Sequence, residues 1–123
     1  MEFYAAHGVL ISQWYGKCSS QQYREAMLLA SSVIAQEGAP FFILDSRLLS
    51  QIPQQDELWT NSEFLATFRQ LPLRRFALLN SFNEGAARQM HHFLHPAQPL
   101  SFNVRIFDDL NSAYDWLIAK KAA

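Results

Sequence analysis

Three short stretches of the chain bring together side chains that could do chemistry. The first is Asp45-Ser46-Arg47, an acid, a hydroxyl and a base that close the apolar run FFILDSR. At the carboxyl end of a central parallel strand, such a triplet stands where open α/β sheets place their ligand sites. It has a structural use as well: a loop-entry Asp satisfies turn amides, and Arg47 has Asp56 and Glu57 close behind as ion-pair partners. Trp59, early in the helix expected next, either walls the same mouth or covers the edge of the core, and its large ring favours the core. The second stretch is MHHFLH, in which His91 and His95 stand four apart on one helix face. Zinc needs three or four ligands, no Glu lies between the histidines, and Cys18 is distant, so a solvated, partly buried helix end is expected instead of a metal site. The third is Cys18, just ahead of a helix N-terminus whose dipole would depress a thiol pKa. A nucleophile also needs a base and an orienting group; without them a lone thiol behaves as a small core residue.

Other chemistries find no footing. The only glycines are Gly8, Gly16, Gly38 and Gly85, which form no phosphate-cradling loop. Ten Lys and Arg against eleven Asp and Glu give a formal charge of −1, and no basic run points to nucleic acid. With no acid–base pair, nucleophile system or metal set to assemble, neither an enzyme nor a cofactor is expected. A single cysteine excludes an internal disulfide, and the start of the sequence lacks the layout of a signal peptide. No apolar run reaches the ~20 residues that span a bilayer, so a cytoplasmic protein without a transmembrane segment is expected.

The 123 residues, 50% hydrophobic and 14% aromatic, suffice for one core, and residues 1–123 are read as a single domain. Glu2 to Ala5 and Val9 to Tyr15 read as strands joined at His7-Gly8. Ser19 and Gln22 have capping-box spacing, and Tyr23, Met27, Ala30 and Ile34 recur at helical intervals until Gly38-Ala39-Pro40 stops them. Phe41 to Leu44 is apolar on both faces, as a central strand covered on each side must be, with Asp45 to Arg47 in the loop beyond. From about Gln55, the positions Leu58, Trp59, Phe64, Leu65 and Phe68 predict a helix that ends at Leu71-Pro72. Arg75 to Leu79 is the next strand, and Asn83 caps a helix running to about Leu94. After a proline-containing loop, Val104 to Phe107 is the last strand. Asp108 or Asp109 then caps a helix on which Leu110, Ala113, Tyr114 and Leu117 share a face, with Lys120 and Lys121 at its negative end. The order ββαβαβαβα implies an α/β fold: a mixed, mostly parallel five-stranded sheet with an N-terminal antiparallel hairpin and about four helices.

Three segments in this order, LDSR followed by DELW, then LRRFALLN, then VRIFDDLNSAYDWL, resemble the SpoIIAA-like group of STAS-type bacterial domains. The ending is the most specific piece, with Arg105, Phe107, Asp108, Asp109, Leu110, Ala113, Trp116 and Leu117 matching the group's strand-to-helix junction. The resemblance covers nearly the whole chain and implies a STAS-like fold; for this group biochemical activities are mostly unassigned. STAS domains that act as anti-sigma-factor antagonists carry a phosphorylatable serine in an Asp-Ser-Ser-Gly-like turn at a helix start. Here Ser46 follows Asp45 directly, Ser50 lies farther on, and QIPQQDELW offers neither serine nor glycine at the helix start, so the phospho-switch is not expected.

Two functions remain. The first is a non-enzymatic regulatory or protein-interaction module that presents its strand ends and the loop Ser46 to Asp56 to a protein partner or to its own copy as a homodimer, which predicts an exposed apolar patch. The alternative is a domain for a small apolar molecule or lipid, because STAS-type folds look like the CRAL-TRIO lipid carriers in outline. It predicts an enclosed pocket lined by aromatics around Trp59, Phe64 and Phe68, with Asp45 or Arg47 at its rim.

Overall fold

The computed structural model describes residues 1–120; Lys121, expected at the end of the last helix, lies outside the described residues. A short strand β1 (Glu2–Tyr4) turns back into β2 (Val9–Gly16), with Gly8 at φ +71° and pressed against the Pro40 ring. Helix α1 (Ser20–Glu37) begins in the capping box foreseen for Ser19 and Gln22 and ends at Gly38 in the left-handed region. Then follow β3 (Phe41–Leu49), α2 (Gln54–Trp59), a π-helical turn (Thr60–Phe64), α3 (Leu65–Phe68) and β4 (Arg75–Leu79). Helix α4 (Glu84–Leu94), capped by Asn83, β5 (Asn103–Phe107) and α5 (Leu110–Ile118), capped by Asp109, complete the chain.

The strands lie in the order β1-β2-β3-β4-β5, with β1 antiparallel to β2 and all other pairs parallel. Because each crossover moves one strand in the same direction, right-handed connections put α1, α2–α3 and α4 on one face. That face holds the larger core, where Phe42, Phe76, Phe68, Phe64 and Phe93 pack ring to ring at centroid distances of 5.2 to 6.3 Å. Among the described residues the other face is closed by α5 alone, through Ala113 and Leu117 on Val9, Ile11, Ile43, Ala77 and Leu79.

Two departures from the sequence-based expectations have identifiable causes. The helix from Gln54 to Phe68 is continuous but widens into a π turn at its centre, where Thr60 and Ser62 hydroxyls donate to the carbonyls four residues earlier, Asp56 and Leu58. Hydroxyls that take ladder carbonyls loosen a helix at that point. At the end of α5 no basic residue lies in the last turn; instead Arg75 reaches across from β4, and its Nη1 donates to the carbonyls of Trp116, Leu117 and Ala119 at 2.7 to 3.0 Å. The cation that completes the terminal helix therefore comes from a strand 41 residues earlier.

Candidate functional site

Strand β3 does not stop at Leu44. It runs on to Leu49, so Asp45, Ser46 and Arg47 lie within the strand and not in the loop beyond it. Asp45 is in register with Gln13 of β2 and Leu79 of β4, the last residue of β4; past this point β3 pairs only with β2. The next pair is Tyr15 with Leu48, so β3 advances three residues while β2 advances two. This extra residue is a β-bulge, and it reverses the alternation of side chains beyond it. Without it Leu49 would share the α5 face with Ile43 and Asp45. With it, Leu49 enters the larger core and Leu48 is turned outward beside Tyr15.

The bulge leaves Arg47 out of register, and its backbone finds partners elsewhere. Asp45 Oδ1 accepts the Arg47 amide at 3.2 Å, and the Arg47 carbonyl accepts the Phe82 amide at 3.1 Å. The Arg47 side chain folds back so that Nε and Nη2 donate to the two Asp45 oxygens at 3.0 and 2.8 Å, and Gln13 Nε2 donates to Oδ2 at 3.2 Å. Burial pushes the Asp45 carboxyl up, but these donors outweigh it and hold the group below the ordinary carboxylate range. Arg47 also feels the negative charge of Asp109, the cap of α5. The expected pairing of Arg47 with Asp56 or Glu57 does not form, since both acids are engaged on the opposite face. Asp56 accepts from Ser20 Oγ at 2.6 Å and Arg24 Nε at 2.9 Å, and Glu57 accepts from Gln89 at 3.1 Å.

Around the Asp45–Arg47 pair lies an open depression of about 310 Å³ lined by Gln13, Trp14, Tyr15, Leu48 and Phe82. Three of its walls are large apolar side chains left in solvent: Tyr15 is 76% exposed, Phe82 75% and Leu48 53%. None of these was singled out from the sequence, although Phe82 carried a signal, an aromatic residue inside the polar turn NSFNEG.

Of the residues expected at the site, only Asp45 and Arg47 meet there. Ser46 is fully buried, and its hydroxyl has no hydrogen-bond partner among the described residues. Trp59 is half-buried on the other face of the sheet, in contact with Tyr23 and Phe64 and beneath the Arg24 guanidinium at 5.1 Å. It covers the core edge and does not wall the same mouth.

Cys18 is half-buried in a separate crevice of about 470 Å³ between the starts of α1 and α2. Burial pushes its thiol up and the Asp56 carboxylate adds to the effect, which reverses the activation that a helix dipole would give. His91 and His95 are exposed, with rings 6.5 Å apart and His95 Nδ1 bonded to the His91 carbonyl. Among the described residues no group of three potential metal ligands converges. No helix among the described residues is long and apolar enough to cross a membrane.

No protein-family model, no curated protein and no solved structure matches this chain.

Proposed function

We propose that this chain is a non-enzymatic, protein-interaction module of STAS type that binds its partner at the carboxyl edge of the sheet. The observation that carries this is the cluster of Tyr15, Leu48 and Phe82, three solvent-facing apolar side chains around one depression. Scattered exposed apolar residues are ordinary, whereas a contiguous group rimmed by polar ones marks a contact surface. The bulge adds weight, since it turns Leu48 outward at a cost in ladder hydrogen bonds, and bulges recur where a side chain must be re-aimed for function. The aromatics that a lipid carrier would need, Phe64 and Phe68, are instead occupied with one another and with Phe93.

The test is site-specific photo-crosslinking in the native host, with a benzophenone amino acid placed at Phe82 and, as control, at the exposed Leu29 of α1. A discrete protein adduct from position 82 that disappears when Tyr15→Ser is added is the expected outcome. Adducts from the two positions that look alike, or native mass spectrometry showing a retained small molecule of defined mass, would sink the proposal.

A further inference from the structure

Resting on that interaction surface, we infer that the partner presents an extended, positively charged segment carrying an apolar anchor residue. The shape of the segment follows from the sheet. Strand β1 covers β2 only over Val9 to Ile11, while β3 pairs with β2 as far as Gly16. Among the described residues no strand pairs with the outer edge of Ser12 to Gly16. An edge of this kind accepts an added strand through main-chain hydrogen bonds, with alternate side chains supplying specificity. The extra residue of the bulge lies on β3, so the β2 edge itself keeps a regular strand. A segment added in line with β1 passes directly beside Tyr15, the first wall of the depression, and its anchor side chain enters between Tyr15, Leu48 and Phe82.

The sign of the charge follows from the groups around this path. Arg47 is neutralised by its two bonds to Asp45 and also feels the negative charge of Asp109. Asp108 and Glu84 are exposed at the same end of the sheet, next to the end of β5 and to Phe82 respectively, and Glu2 heads the edge column at the start of β1. Lys17 follows Gly16, and Arg88 and Arg105, one helical turn from Glu84 and three residues before Asp108, likewise make no ion pair among the described residues, so the four acids Glu2, Glu84, Asp108 and Asp109 stand against three bases. A cationic segment gains from this field, and an acidic one or a phosphate backbone is repelled.

The test is selection of a random dodecapeptide library, displayed on phage, against the folded chain. Recovered peptides are expected to combine Lys or Arg with a Trp, Phe or Leu. Their affinity should fall at least about thirtyfold, the measure of a hot spot, with Tyr15→Ser or Phe82→Ser, recover with Phe82→Leu, and weaken as salt is raised. Bound peptide should also slow amide exchange across Ser12 to Gly16. Both substituted residues are exposed, so an unchanged unfolding midpoint separates lost binding from lost folding. Acidic peptides that still need Tyr15 and Phe82 would overturn the cationic partner and leave the surface standing. Binders indifferent to both residues would overturn the surface too. Concentration-dependent dimers in sedimentation that dissociate on Phe82→Ser would replace the foreign segment with a second copy of the chain.

Discussion

Two carboxylates near the carboxyl edge of the sheet each meet an arginine, and the two pairs serve different ends. Asp56 is fully buried and joins α2 to α1 through Arg24 and Ser20, with Arg24 also lying over Trp59. Its partners lie more than 30 residues away, so the pair fastens two helices over the larger core. Asp45 meets an arginine two residues along its own strand and fastens nothing distant except the Gln13 amide. Its work is local: it accepts the amide of the bulged Arg47 and holds that guanidinium at the depression lined by Tyr15, Leu48 and Phe82. An ion pair that spans elements is a structural clamp, while one that closes on itself beside an open depression is free to serve the contact surface we propose.

That contrast can be broken at several points. The largest loss should come from the clamped side: Phe68→Ala removes a ring packed against Phe64, Phe76, Phe93 and Phe102, and about 3–5 kcal/mol of stability should go with it in a urea titration. Asp56→Ala should follow at about 2 kcal/mol, below the usual figure for a broken buried pair because Arg24 is 38% exposed and can be solvated. Arg47→Ala should cost less than ~2 kcal/mol while abolishing the Phe82 crosslink; a larger loss with the crosslink intact would make Arg47 an anchor of the fold and erase the contrast.

The smallest effect is a pH dependence. Asp45 has a folded pKa below its unfolded one, so its contribution to stability is present above the ordinary carboxylate range, about pH 4, and is lost as pH falls through the depressed folded value. Wild type should therefore lose more stability than Asp45→Asn between about pH 4 and 2, with the two converging in acid. Parallel acid titrations by circular dichroism would decide it, and curves that stay equally spaced would show that Asp45 gains nothing from its donors.

Much of this architecture could be read from local chemistry. The caps at Ser19, Asn83 and Asp109 and the stop at Gly38 act within one turn, and each is where its residue type requires. The alternation of strands with helices then left one economical arrangement, a parallel sheet with a hairpin edge. The site was only half legible. Asp45 and Arg47 stood out as charges ending an apolar run, but their mutual pairing did not, because the competing acids Asp56 and Glu57 are nearer to a loop and are claimed by Arg24 and Gln89 from across the fold. Trp59 covers the core edge, the role its large ring favoured, and which mouth it could have faced was not legible because the face a crossover helix covers depends on handedness and strand order, not on its distance along the chain.

The sequence by itself determined the elements, their order and the number of strands, because hydrophobic period and capping residues act over a few positions. Only the tertiary structure decided what those elements present to solvent. The bulge in β3 is set by the register of two strands held together across the fold, and a shift of one residue exchanges the faces of every side chain beyond it. That exchange sends Leu49 into the core and Leu48 out beside Tyr15 and Phe82, and it makes a surface from residues that are far apart in the chain.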